Sequence, residues 1–181
     1  MRTNETPHYD ASVNTTGCCP KFNPGGWDDQ ELHLTDKPFV RATTRSVMHV
    51  PVNMGSVFAR VNEHIDAAAS AEGHFIVLSR DLSPCTSEHL FSVSKAVPEE
   101  EMITPTGDFV TKVFEGAFEQ VSGWHQEMLE IARQRDPNLP MYISSIRPAR
   151  NAPRHTVRTT SLASRPWLGS CRSTPCDATK D

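Results

Sequence analysis

A weak internal duplication constrains the fold of this chain more than any other feature of its sequence. A shift of about 66 positions superposes two stretches, each with the pattern of a strand followed by a helix. The matched pairs are His49 with Glu115, Val52 with Phe118, Ser56 with Ser122, Phe58 with Trp124 and Ile65 with Ile131. Repeats of this kind define the architecture of a chain. Two copies are too few for a solenoid, so the pattern predicts one pseudo-symmetric domain with a cleft between its halves, a shape suited to a small-molecule ligand.

The first half begins with a strand composition between Lys37 and Val52, where valine, threonine and serine predominate. Asn53 occupies the position of a helix N-cap. The spacing then predicts a helix over Met54–Ala69, because its apolar residues form one stripe. Two short strands follow at 74–78 and 90–94, joined by a Ser/Pro turn at 79–87. The stripe consists of Val57, Phe58, Val61, Ile65 and Ala68.

The second half repeats this order after an acidic connector at 99–101. A strand is expected over Phe109–Phe118, and Ser122 is the N-cap of a second helix that ends before Pro137. A further strand begins at Met141, and one more is expected after it. This order predicts an α+β fold in which duplicated strand-helix-strand-strand units form an antiparallel sheet, with the helices on one face and the ligand cleft between the repeats.

Composition narrows the class of protein further. The chain has 181 residues, enough for one domain with a core. It contains no apolar run of the roughly 18 residues that a membrane-spanning helix needs, and its N-terminal stretch lacks the apolar segment of a secretory signal. The five cysteines are therefore interpreted as reduced thiols of a cytoplasmic protein.

Charge is unevenly distributed along the chain. Residues 144–181 contain seven Lys/Arg and two Asp, a net charge of +5, so residues 1–143 carry −9 of the total of −4. An acidic body disfavours a specific nucleic-acid partner and favours cationic ligands, although ordinary solubilising surface acids are the simpler explanation of this charge.

Three stretches, TGCCPKF (16–22), DKPFVRATTRSVMHVPVNMGSV (36–57) and GDFVTKVFEGAF (107–118), carry a family resemblance. Together with the order of elements they resemble the GyrI-like bacterial effector-binding domains, and more closely a bacterial subgroup labelled "hydrolase". The resemblance covers roughly residues 16–143. A polar, proline-containing composition predicts an irregular arm over 1–35. The resemblance implies a domain over 36–143, with one repeat at about 38–97 and an incomplete second one at about 107–143. It also implies an amphipathic or cationic small-molecule ligand.

The resemblance implies one site residue, Glu115, and the aromatic residues and the internal repeat suggest the others. Glu115 matches the characteristic cleft acid of the family, where a carboxylate either pairs with a cation or acts as an acid or base. Trp124 and Tyr142 are candidate aromatic walls, with Phe118 beside them, although Trp124 at helical spacing is equally a core residue. His49, the repeat mate of Glu115, is a candidate proton shuttle, or else a hydrogen-bonded strand-end residue.

No metal or cofactor site is predicted. Adjacent cysteines such as Cys18 and Cys19 lack the C-x-x-C spacing of a zinc site. In the resembling subgroup a second cysteine pair near the C-terminus would complete a four-thiolate site. Here Cys171 and Cys176 have a different spacing, and Cys85 stands in no nucleophile motif.

The basic tail from about Ser144 departs from the resembling subgroup. Two explanations are open. Read one base out of frame, the codons permit the expected pattern, with tyrosine at His155-Thr156, glycine at Thr156-Val157 and asparagine at Arg158-Thr159. The tail is then a frame-shifted segment without the last strand, and a sheet edge is left bare. Otherwise it is a genuine disordered basic tail.

The sequence thus leads to two hypotheses of function. The first is a GyrI-like domain that binds and sequesters a small molecule. The second is a hydrolase that acts on a reactive small-molecule substrate in the same cleft, with Glu115 as acid or base. Whether the chain is an enzyme stays open at this point.

Overall fold

The computed structural model describes residues 3–7, 27–47, 50–73, 75–116, 121–135, 141–146 and 156–163. Within these ranges the chain forms nine strands and two helices. In chain order they are β1 (Gln30–Leu34), β2 (Phe39–Val47), β3 (Val50–Pro51), α1 (Met54–Ala67), β4 (Val77–Ser83), β5 (Thr86–Ser92), β6 (Glu101–Ile103), β7 (Gly107–Gly116), α2 (Val121–Arg135), β8 (Met141–Ile146) and β9 (Thr156–Ala163). The protein therefore has the predicted α+β fold.

The strands form one antiparallel sheet in the order β1-β7-β9-β8-β4-β5-β2-β3, with β6 also paired to β2. Two strand-helix-strand-strand units are visible in this order, one made of β2, α1, β4 and β5, the other of β7, α2, β8 and β9. Outward from the centre both units have the same order, β4-β5-β2 in the first and β8-β9-β7 in the second, so each begins with its second strand and ends with its first. The two units join where Ser79 on β4 pairs with Ile143 on β8.

Helix α1 packs on the first unit through the predicted apolar stripe. Val61 and Ile65 are buried against Val40 and Phe91 of the sheet, and the Phe58 ring meets the Phe91 ring edge-on at 4.8 Å. The remaining stripe residues are packed against the same cluster. Apolar periodicity alone therefore located this helix and its buried face correctly.

Helix α2 lies on the same side of the sheet. Residues paired directly across antiparallel strands share a face, and the ladders run without a break from Ser79 through β8 and β9 to Lys112. Val110 and Phe114 stand at alternate positions with Lys112 on β7 and pack with Met128 of α2. The expectation of helices on one face is confirmed for both.

The opposite face holds the main apolar core. Trp27 and Leu34 from the first part of the chain pack there with Phe39, Leu90 and Phe109. These residues come from both ends of the strand order, so the sheet curls around them. Residues 1–35 are therefore not wholly an irregular arm, because β1 pairs with β7 and places alternate leucines in this core.

The structure corrects three local predictions. The turn expected over 79–87 is confined to Ser83–Thr86, since β4 and β5 pair on both sides of it. The acidic connector extends into β6, which pairs with β2. Asn53 makes no side-chain cap of α1; its Oδ1 instead accepts a hydrogen bond from the Arg45 backbone N–H at 2.7 Å.

The structure also corrects the expectation of a disordered tail. Residues 156–163, expected to be part of a disordered tail, form β9 between β7 and β8. Their threonine, valine and leucine content suits a strand.

Cys85 is disulfide-bonded, so the interpretation of all five cysteines as reduced thiols is wrong for this residue. The other four cysteines lie outside the described residues.

Candidate functional site

A contiguous group of polar side chains lies on the helix-bearing face of the first unit, where an apolar core would be expected. Alternation along the strands places two from each of β2, β4 and β5 on this face. Burial of polar groups in such a layer is unfavourable unless each has a hydrogen-bond partner. We call this group the polar row; its members are Thr44, Ser46, Ser79, Asp81, Ser87 and His89.

His89 is the centre of the polar row, with only 1% of its surface exposed. Its Nδ1 lies 2.8 Å from the Ser79 hydroxyl on β4, and its Nε2 lies 2.9 Å from the Thr44 hydroxyl on β2. When Nε2 carries the proton it donates to Thr44, and Nδ1 accepts the hydrogen bond of Ser79. A half-buried serine is thereby joined to an imidazole that a third side chain orients.

Burial lowers the pKa of His89 from its ordinary value of 6.5, while the nearby carboxylates of Asp81 and Glu88 act in the opposite direction. The Phe58 ring of α1 contributes to this burial, since it contacts the imidazole edge-on at 5.0 Å. His89 is therefore neutral near pH 7, the form that can accept a proton.

A second hydrogen-bonded chain completes the polar row. Ser87 donates to Asp81 Oδ1 at 2.7 Å, and the hydroxyls of Ser87 and Ser46 lie 3.1 Å apart. These contacts run parallel to the Ser79–His89–Thr44 chain on the same three strands. They fix the strands on both sides of His89 and place a carboxylate near the serine–histidine pair.

Ser79 lies at the junction of the two repeat units. Its strand pairs with β5 on one side and, through Ser79 itself, with β8 on the other. Helix α1 packs over the β2–β5 side and α2 over β7, so Ser79 lies between the strips of sheet that the two helices cover. The half-buried hydroxyl is thus at the seam where the sequence predicted a cleft.

The opposite face of the same strands carries a buried ionic cluster. Glu88, 1% exposed, accepts hydrogen bonds from Arg41 Nε at 2.5 Å and Arg80 Nε at 2.6 Å. Arg41 also reaches Glu101 on β6 at 2.8 Å, and these hydrogen bonds, led by the one to Glu101, raise the pKa of its guanidinium. This cluster joins four strands and balances its own charges.

A third group of polar residues lies at the β1–β7 edge and is open to solvent. His33 Nδ1 pairs with an Asp108 carboxylate oxygen, and His33 Nε2 lies 3.2 Å from the Thr35 hydroxyl. About a third of the His33 side chain is exposed. This edge triad is separate from the polar row.

The site residues predicted from the sequence are only partly within the described structure. Trp124 is half-buried and stacks on Phe114, with ring centroids 6.0 Å apart and planes 15° from parallel. This contact gives Trp124 a packing role beneath α2. Glu115 is the penultimate residue of β7, and Tyr142 lies on β8, each opposite a residue of β9. His49 and Phe118 lie outside the described residues.

The sequence reasoning missed the polar row, although a signal for it exists. Polar residues at i and i+2 on all three strands break the apolar alternation expected for strands that lie beneath a helix. Such a pattern becomes visible only once the register is known. A shift of one residue on a strand would turn its polar pair to the other face.

Two further observations concern metals and membranes. Among the residues that the structure describes, no group of three or more histidine, cysteine, aspartate or glutamate side chains is placed to hold a metal ion. Neither helix in the described ranges has the length and apolar character needed to cross a bilayer.

The fold and the polar row define an α+β domain built from two repeats with a serine–histidine pair at their junction. A family model described as bacterial hydrolase matches residues 9–143, and the chain belongs to this family. The match includes every residue of the polar row and of the edge triad. No curated protein and no solved structure matches the chain.

Proposed function

We propose that this protein hydrolyses a small electrophilic substrate, with Ser79 as the nucleophile, His89 as the general base and Thr44 as a positioning residue. The observation that carries the proposal is the hydrogen-bonded chain from Ser79 through both nitrogens of His89 to Thr44. A nucleophile, a base and a group that orients the base are the recurring parts of acyl-transfer sites. Membership of the bacterial hydrolase family supports hydrolysis as the class of reaction.

The first step is attack on the carbonyl carbon of an ester. The Ser79 oxygen forms the new bond, its proton passes to His89 Nδ1, and the alcohol group leaves with that proton. Water then attacks the acyl-enzyme, giving its proton to the same nitrogen, and the acid is released as Ser79 regains its hydrogen. Burial helps here because it keeps the imidazole neutral at the start of each step.

The position of Ser79 limits the size of the substrate that can reach its hydroxyl. The hydroxyl lies at the junction of the repeats, between the strips of sheet that α1 and α2 cover. Phe58 blocks access to the imidazole from the side of α1. A small acyl group reaching Ser79 from the β4–β8 seam fits this arrangement.

The test is covalent labelling and turnover with short-chain p-nitrophenyl esters and a fluorophosphonate probe. We expect Ser79→Ala to abolish the fluorophosphonate adduct, and His89→Gln to reduce turnover by about 10²-fold or more. Ser94→Ala is the matched control for Ser79→Ala, because it removes an exposed serine hydroxyl outside the polar row. Absence of a fluorophosphonate adduct on Ser79, or full turnover by Ser79→Ala, contradicts the proposal.

A second candidate function is ligand binding without turnover, in the manner of the GyrI-like domains. The two-unit sheet order supports it, since the halves meet at one seam. In this case Glu115, His49, Phe118 and Tyr142 would bind an amphipathic or cationic molecule between the repeats, while Trp124 keeps its packing contact with Phe114. Among these residues, Glu115 lies on β7, paired with Val157 of β9.

The two candidates differ in their response to Glu115→Gln. If the protein is a binder, this substitution weakens the binding of a cationic amphiphile measured by calorimetry, and no variant shows turnover. If it is a hydrolase that uses Glu115 as acid or base, binding is retained and turnover falls. If Ser79 is the nucleophile, Glu115→Gln retains the fluorophosphonate adduct on Ser79.

A further inference from the structure

The edge triad, formed by His33 on β1, Thr35 just after β1 and Asp108 on β7, is separate from the polar row and has the order of a nucleophile-activating triad. His33 and Asp108 lie directly opposite each other in the β1–β7 ladder. The carboxylate contacts Nδ1 of the imidazole, while Nε2 lies 3.2 Å from the Thr35 hydroxyl. A carboxylate on one ring nitrogen and a hydroxyl on the other is the arrangement in which histidine removes a hydroxyl proton.

Thr35 is held in place by backbone contacts. Its N–H donates to Asn4 Oδ1 at 2.8 Å, and its carbonyl accepts from Asn4 Nδ2 at 2.7 Å. The next residue, Asp36, donates its backbone N–H to the Thr106 hydroxyl at 3.0 Å. Contacts on both sides therefore fix the peptide that carries the hydroxyl, which reduces the entropy lost on reaching a reactive geometry.

The triad is accessible to reagents. The side chains of His33 and Asp108 are 37% and 57% exposed, and Thr35 is exposed as well. Reaction at this edge therefore needs no opening of the fold. The polar row differs in this respect, because His89 lies beneath Phe58.

We propose that Thr35 is a covalent acyl-acceptor site, activated by His33 and Asp108 and modified by activated esters. The Thr35 oxygen bonds to the acyl carbon, its proton passes to His33 Nε2, and the bond to the alcohol or phenol breaks. The leaving group departs as the anion or takes that proton. Asp108 stabilises the imidazolium formed in this step, and the product is a threonine ester.

The test uses the full chain in a Ser79→Ala background, so that the polar row cannot supply the acyl group. The protein is incubated with p-nitrophenyl acetate, and peptide mass spectrometry measures acetylation of Thr35 against Thr104, an exposed threonine on the connector before β7. We expect Thr35 to be acetylated at least about tenfold faster than Thr104, the low end of what general-base assistance provides.

Variants separate activation from simple exposure. Thr35→Val removes the stable adduct, and Thr35→Ser retains it. His33→Gln lowers the rate to that of Thr104, and Asp108→Asn lowers it by about tenfold or more. The three substituted positions lie at the solvent-accessible β1–β7 edge, so circular dichroism and thermal melting should show the same fold in each of the four variants. Equal acetylation of Thr35 and Thr104, or an unchanged rate in His33→Gln, overturns the proposal whatever the outcome at Ser79.

Discussion

Arg80 on β4 lies directly opposite Glu88 on β5, and its Nε donates to Glu88 Oε2 over 2.6 Å. Arg41 on β2 donates to the other oxygen of the same carboxylate. One buried acid is thus held between guanidinium groups from both neighbouring strands. Because the polar row occupies the other face of these strands, the ionic cluster fixes the sheet directly behind His89.

We expect Glu88→Gln to destabilise the protein by about 3–5 kcal/mol, because two partly buried guanidinium groups lose the charge that compensates them. Glu101→Gln is the matched control. It removes an exposed partner of Arg41 and should cost less than about 1 kcal/mol. Urea unfolding monitored by tryptophan fluorescence measures both variants. Equal losses from the two substitutions would contradict the role assigned to Glu88.

Acidification should destabilise the fold through His89. Its folded-state pKa lies below the ordinary value of 6.5 because burial disfavours the imidazolium. In the pH window between the two values the unfolded chain binds more protons, so stability falls as pH decreases through that window. His89→Gln should flatten this part of the profile. Urea unfolding at about pH 7.5 and about pH 5.5 tests the difference; an equally steep loss in His89→Gln would assign it to other groups.

The Thr44→Val variant should show whether Thr44 orients His89 for catalysis or only stabilises the fold. The substitution keeps the side-chain shape but leaves His89 Nε2 without its buried partner. We expect the free energy of unfolding to fall by about 1–3 kcal/mol. For ester hydrolysis we expect kcat to decrease by a larger factor than KM changes. Thr44→Ser should restore both, because it returns the hydroxyl. Loss of stability with unchanged kcat would show that Thr44 acts on the fold alone.

Truncation after Ile146 tests the contribution of β9. This strand pairs with β7 along eight positions and with β8 along six, so its removal exposes two strand edges at the centre of the sheet. We expect the truncated chain to aggregate in size-exclusion chromatography, as bare edges promote pairing between molecules. A monomeric truncated chain with unchanged melting temperature would contradict the role of β9.

The reading frame of the tail is a separate question with a direct measurement. Sequencing the gene across the codons for Met141 to Arg158 shows whether a one-base shift is present. The frame-shift hypothesis predicts that the corrected chain carries a C-P-x-C continuation and melts at a higher temperature than the present chain. An unshifted gene leaves Thr156–Ala163 as a native strand.

Local pattern predicted much of this fold from the sequence alone. The apolar stripe ending at Ala68 identified α1, and the repeat order gave the α+β class with helices on one face. Strand ends were less accurate because pairing extends a strand beyond its apolar residues, as β4 and β5 do on either side of Cys85. Asn53 illustrates the same limit, since its side chain serves a neighbouring strand rather than its own helix.

The candidate site was harder to predict because it depends on contacts between distant parts of the chain. Ser79, His89 and Thr44 each look ordinary in sequence, and only the sheet register brings them together. His33 and Asp108 are 75 positions apart. Residues so far apart in the chain form no short sequence motif. Glu115 could be predicted because it lies within the GDFVTKVFEGAF (107–118) stretch that carries the family resemblance.

The position of β9 has a consequence for how the chain folds during synthesis. Strands β7 and β8 are separated in the sheet by residues made after both of them. The first unit has all of its strands once β5 has emerged, so it can fold while the second is still being made. Until β9 arrives, β7 has only β1 beside it. Pairings so distant in sequence are slow to form, and assembly of the second unit is therefore expected to limit the folding rate.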